Sequence, residues 1–91
     1  GDHLDFPTAF SPNGDHFNDY FEAIYSGSIK NYHIEIFNRW GELVFETNKL
    51  EKGWDGKYEN ELQPIGVFTY RVTAALNEKN LVKQGNFVLV R

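Results

Sequence analysis

Two stretches of this chain alternate apolar and polar residues with a period of two. In 29–38, Tyr32, Ile34 and Ile36 fall on one side, and His33 and Glu35 fall on the other. In 66–76, Phe68, Tyr70, Val72, Ala74 and Leu76 share one face, opposite Thr69, Arg71 and Thr73. Successive side chains of a strand point to opposite sides of a sheet, so this pattern predicts strands with one buried face. No segment carries a convincing helical period. Turn chemistry separates the strands. Residues 39–42 interrupt the first alternation and 43–45 resume it, which predicts a hairpin with Gly41 at its turn. Residues 77–80 read as a second turn. Residues 81–90 read as a closing strand interrupted near Gly85. Segments 6–10 and 20–25 read as short strands beside a long opening loop. Short strands with turn signals every ten or so residues predict an all-β sandwich in one domain spanning 1–91. Gly1, Asp2 and His3 read as a cloning remnant.

With 91 residues, the core must be small. Eight Phe, five Tyr and two Trp compensate, because each ring removes a large area from water. The chain has no Cys, which excludes disulfides, thiolate metal sites and a Cys nucleophile. The net charge is −4, and Asp2, Asp5, Asp15, Asp19 and Glu22 all precede the first Lys. That end repels nucleic acid and attracts cations. No apolar run approaches the ~20 residues of a membrane-spanning helix, and no signal peptide is visible.

The opening segment 6–21 sets two prolines, a glycine and several Asn and Asp residues between bulky aromatics. Pro12 biases Ser11 toward extended backbone, and Gly14 permits positive φ. Asn13, Asp15, Asn18 and Asp19 offer oxygens at close spacing, and Asp5 could join them. Such a set suits a hard cation, so calcium is one reading. The plainer reading is that these side chains fold back onto their own backbone as Asx-turns. A melting curve with calcium and with chelator separates the two.

Two tryptophan turns also stand out. In Trp54-Asp55-Gly56, turn chemistry explains each residue: a ring covering one end of the core, an acceptor for backbone N–H groups, and a glycine at an unusual angle. In Arg39-Trp40-Gly41 two readings stand level. The pair is a docking point, since Arg and Trp dominate binding hot spots. Alternatively Arg39 stacks on Trp40, or Trp40 lies under a neighbouring loop. Arg71 is expected to pair with Glu35 if their strands are neighbours. His3, His16 and His33 are far apart and do not suggest a metal centre. No Ser sits in a nucleophile elbow and no carboxylates pair in a cleft, so catalytic residues are not expected.

Several blocks occur together in order. They are Phe6-Pro-x-Ala-Phe-Ser-Pro-Asn-Gly-Asp-x-x-Asn-Asp-x-Phe21, Ile36-Phe-Asn-Arg-Trp-Gly-Glu-x-Val-Phe45, Gly53-Trp-Asp-Gly56, Pro64-x-Gly-Val-Phe-x-Tyr70 and Gly85-x-x-x-Leu-Val-Arg91. Each is weak alone. Together they closely resemble the gliding-motility-associated C-terminal domain, the type B sorting domain of the type IX secretion system. The resemblance covers almost the whole chain. It departs where His16 and Asn60 stand in place of the usual glycines: if the first position needs positive φ, His pays a modest cost and the usual loop geometry is not copied closely, whereas Asn keeps the second turn.

The resemblance implies an Ig-like antiparallel β-sandwich of about seven strands, without catalytic residues. It implies an address at the C-terminus of a large exported protein, such as an adhesin of the Bacteroidota. Outer-membrane type IX components and surface anchoring machinery would read the folded domain and deliver its passenger to the cell surface. The chain stops just after its last strand, as family members do at their C-terminus. Nucleic acid and direct membrane insertion are not expected, and the isolated domain is expected to be monomeric. The contact patch is sought at Arg39 and Trp40 and along the closing strand, at Asn86, Val88 and Arg91. If that strand lies at a sheet edge, a partner could add a strand to it. The alternative is a calcium-stabilised adhesive Ig-like module that binds glycan or protein outside the cell.

Overall fold

The computed structural model describes residues 2–14, 16 and 19–91. Its strands are β1 (His3–Asp5), β2 (Ala9–Phe10), β3 (Ile24–Ser26), β4 (Ile29–Phe37), β5 (Leu43–Thr47), β6 (Lys57–Tyr58), β7 (Glu61–Leu62), β8 (Gly66–Leu76) and β9 (Lys79–Leu89). The principal layer is a five-stranded sheet in the order β2-β9-β8-β4-β5. Facing it is a broken layer: the β1-β3 ribbon, the β6-β7 ribbon and a bridge between Phe21 and Trp54. The fold is an all-β sandwich, and the described residues contain no membrane-spanning helix. The described residues form nine strand segments, more than the expected seven or so, because the second layer is fragmented. One pairing departs from the antiparallel expectation: β2 runs parallel to β9.

The core lies between these layers. Tyr32, Ile34 and Ile36 of β4, with Phe68, Tyr70, Val72 and Ala74 of β8, are buried as the alternation predicts. Against them pack Phe6, Phe21 and Trp54 from the opposite side. Phe21 stacks on Phe87 at 3.8 Å, and Trp54 meets Phe68 edge-on at 5.1 Å. Trp54 is fully buried, and its Nε1–H donates to the Lys57 carbonyl at 2.9 Å. Asp55 accepts the Lys57 N–H at 3.0 Å, and Gly56 has φ +83°. This turn is structural, as its chemistry suggested.

Local backbone chemistry positions the strands. Asn31 has φ +56° at a register shift in β4. The extra residue lets Ile29 and Tyr32, three apart, both turn inward. Asn77 and Glu78 both have positive φ and form a two-residue turn, so β9 starts earlier than expected, at Lys79. Asn60 at φ +66° keeps the expected turn, and His16 at φ +68° takes the glycine-like angle despite its side chain.

Three expectations change. β9 runs without a break through Gly85, which sits opposite Tyr70. The missing Cβ makes room for the Tyr70 ring, so the glycine marks a close approach rather than an interruption. Segment 6–10 contributes strand only at β2, because Pro7 has no N–H to donate; β1 precedes it. In 20–25, Phe21 only bridges to Trp54, and β3 begins at Ile24. Asp2 is an integral part of the fold. Its carboxylate accepts the N–H of Ser28 at 3.1 Å and of Asn77 at 2.9 Å, tying two turns together.

Candidate recognition surface

The β4–β5 hairpin tip is built around Asn38. Its carbonyl accepts the Gly41 N–H at 3.0 Å, and Gly41 has φ +81°. This closes a tight turn with a left-handed last residue, a standard three-residue hairpin connection. The Asn38 side chain locks the loop. Its Oδ1 accepts the N–H groups of Trp40 at 3.0 Å and Glu42 at 2.9 Å, while its Nδ2 donates to Glu42 Oε1 at 2.9 Å. Asn38 is itself buried. A buried amide making three hydrogen bonds is a rigid support. On it, Trp40 stands 75% exposed. The Arg39 guanidinium carbon lies 4.8 Å from the ring centroid. Exposure and cation–π stacking therefore occur together, and Trp40 does not lie under a loop.

The tip meets the start of β8. Asn38, Arg39 and Trp40 share a narrow cleft of about 20 Å³ with 63–68. Its lining includes Arg39 and no carboxylate, although the chain as a whole is acidic. Of its lining, Ile65 and Val67 are largely exposed. Val67 pairs with Val88, and Thr69 pairs with Asn86. The Thr69 hydroxyl donates to Asn86 Oδ1 at 3.2 Å. Arg91 donates from Nη2 to the Gln63 carbonyl at 2.8 Å. All five residues sought as contacts thus gather at one end of the five-stranded sheet. A largely exposed ring, exposed aliphatics and two guanidiniums lie at that end.

The closing strand is not an edge at its end. The N–H of Val88 donates to Thr8 O, and that of Val90 to Phe10 O, both at 3.0 Å. β2 therefore occupies the backbone that an added strand would use. Side chains, not backbone, remain available at Val88.

In the opening loop the side chains of Asn13 and Asp19 bond to the loop itself. Asp19 accepts the N–H of Gly14 at 3.1 Å and of His16 at 2.9 Å. Asn13 donates from Nδ2 to Ser11 Oγ at 3.1 Å. Asp5, on β1, accepts the Phe6 N–H at 2.8 Å and pairs with Lys83 of β9 at 3.1 Å. The backbone bond and then Lys83 hold its carboxyl below the usual Asp range. Asp15 and Asn18 lie outside the described residues.

Sequence comparison decides what kind of domain this is. The profile of the family CHU_C, described as a type IX secretion signal domain, matches residues 4–90. The chain belongs to the type IX secretion signal domain family. No curated protein matches it. Among solved structures, it is similar to PorZ of Porphyromonas gingivalis, described as an essential bacterial surface component of the type IX secretion system. The similarity covers all of the signal domain and 12% of PorZ, with a TM-score of 0.58 and 17% identity. At that identity the likeness concerns the fold.

Reading the sequence missed Asn38, Ile65 and Val67 as members of this surface. Asn38 carried a signal: an Asn three residues before a turn glycine is a usual first turn position. Ile65 and Val67 carried none, because their exposure depends on which strands become neighbours.

Proposed function

We propose that this signal domain is read as a folded surface by type IX components in the outer membrane, and that the Arg39–Trp40 end of its sheet is the contact. Membership of the secretion signal family supports the signal role. The observation supporting the contact is Trp40, largely exposed on a rigid turn beside exposed Ile65 and Val67. An exposed ring carries a solvation cost unless a partner covers it, and preorganisation lowers the entropy lost on docking. The passenger is then exported and fixed at the cell surface by anchoring machinery.

An export assay tests this. Residues 1–91 are fused behind a reporter carrying a periplasmic signal, in strains with and without a working type IX system. The native outer-membrane partner is supplied where it is encoded nearby. Surface display that requires the system is the expected result. Trp40→Ala should weaken partner binding by about 2 kcal/mol, roughly thirty-fold, with the melting temperature unchanged. Display unaffected by Trp40→Ala, Arg39→Ala and Val67→Asp together would remove this surface from the mechanism. Reporter left in the periplasm in both strains would remove the signal reading for the isolated domain.

A further inference from the structure

We propose that His33, Glu35 and Glu46 form a zinc-binding site on the outer face of the five-stranded sheet. The alternation of β4 puts His33 and Glu35 on this face, two residues apart. The β4–β5 register places Glu46 directly opposite Glu35. One imidazole nitrogen and one oxygen from each carboxylate all lie within 4.8 Å of one another. Nothing local along the chain joins them, because Glu46 is distant from His33 in sequence.

Three observations favour a cation here. First, two carboxylates directly opposite on neighbouring strands repel each other. Arg71 relieves only one of them, reaching Glu35 Oε1 at a long 3.9 Å. Glu46 has no hydrogen-bond or ion-pair partner among the described residues. Second, the histidine is oriented. His33 Nδ1 and Asn48 Oδ1 are 2.6 Å apart. With Nδ1–H donating to this amide oxygen, Nε2 keeps its lone pair for a metal. A histidine held this way by an outer partner is the usual arrangement of a metal ligand. Third, the donor set discriminates. One imidazole and two carboxylates suit zinc, with a fourth position open to water. Calcium takes about six to eight oxygens, more than these two carboxylates supply, and neither calcium nor magnesium favours an imidazole ligand as zinc does. Both glutamates are long enough to close a shell with zinc–ligand distances of about 2 Å by rotamer changes alone.

The test uses the tag-free domain, stripped of metal, titrated with zinc chloride by calorimetry. One equivalent should bind saturably. His33→Ala and Glu46→Gln should each weaken binding at least about ten-fold, and Asn48→Ala by about 10–100-fold through loss of ring orientation. Arg71→Ala should tighten it, since a competing cation is gone. His3→Ala and His16→Ala should leave it unchanged. Circular dichroism of each variant checks the fold. These are surface positions, and Glu46→Gln keeps size and shape. Absence of saturable heat at millimolar zinc would overturn the site. So would binding that survives His33→Ala, or that disappears with His3→Ala or His16→Ala.

Discussion

Gly85→Ala is the sharpest probe of how this sheet is packed. Gly85 lies directly across from Tyr70 in the β8–β9 ladder. A Cβ at Gly85 would stand 2.7 Å from Tyr70 Oη and 2.8 Å from Cε2 and Cζ. Those distances are too short, so something must move. The ring has little freedom. Tyr70 is buried, with Phe6 at 4.7 Å and Phe21 at 5.8 Å. Overpacking of this kind costs about 1–3 kcal/mol. Ala also restricts the unfolded chain at an extended position, which offsets roughly 0.4–1 kcal/mol. The net expectation is a loss of about 1–2 kcal/mol. For a domain this size that lowers the melting temperature by roughly 4–16 °C. Urea unfolding should show a lower midpoint with an unchanged m-value. The cause can be isolated with Tyr70→Leu, which removes the ring. In that background Gly85→Ala should be neutral or stabilising, giving a coupling of about 1–2 kcal/mol. A Gly85→Ala domain as stable as the parent would refute the reasoning, as would additive costs in the double variant.

Two further outcomes follow from single groups. Asn38→Ala leaves the N–H groups of Trp40 and Glu42 without their acceptor, so stability should fall by about 1–3 kcal/mol. Acrylamide quenching should then show Trp40 more mobile while Trp54 stays protected; an unchanged quenching profile would argue against the turn being held by Asn38. Burial raises the phenols of Tyr32 and Tyr70 above the ordinary range. Their folded values exceed their unfolded ones, so this contribution is complete below about pH 10 and is lost as pH rises toward the folded values. Absorbance at 295 nm should show part of the tyrosine signal appearing only with loss of circular dichroism, and smooth ionisation of all five tyrosines in the folded domain would contradict this.

Most of the sheet was legible because period and turn chemistry are local. The inward sets of β4 and β8 follow directly from alternation, and the left-handed turn at Asn60 follows from the glycine it replaces. The Arg71–Glu35 pair was legible too, given neighbouring strands. What failed was non-local. Gly85 looks like a break until Tyr70 is known to lie opposite. The closing strand looks like an edge until β2 is seen to pair with it in parallel. Glu46 looks like an ordinary surface acid until the hairpin register sets it against Glu35. Each case needs the identity of a cross-strand partner, which one sequence without its pairing does not contain.

The two tryptophans separate two ways a secretion signal can be read. A linear motif needs only its residues, whereas a folded address needs its core as well. Trp54 is fully buried and touches Phe10, Phe68 and Phe87, so it can contribute nothing directly to a partner. Trp54→Ala removes that packing and orphans the Lys57 carbonyl, at about 3–5 kcal/mol. Set against a total stability of about 5–15 kcal/mol, this leaves the domain marginal or unfolded. Trp40→Ala should spare stability and remove a contact instead. A surface reading therefore predicts that both substitutions reduce display, but only Trp54→Ala lowers the melting temperature. Growth at reduced temperature should restore display of Trp54→Ala in step with its refolding, and should not restore Trp40→Ala. Normal display from an unfolded Trp54→Ala domain would mean that the machinery reads a linear segment, and the rigid tip on Asn38 would then have no part in recognition.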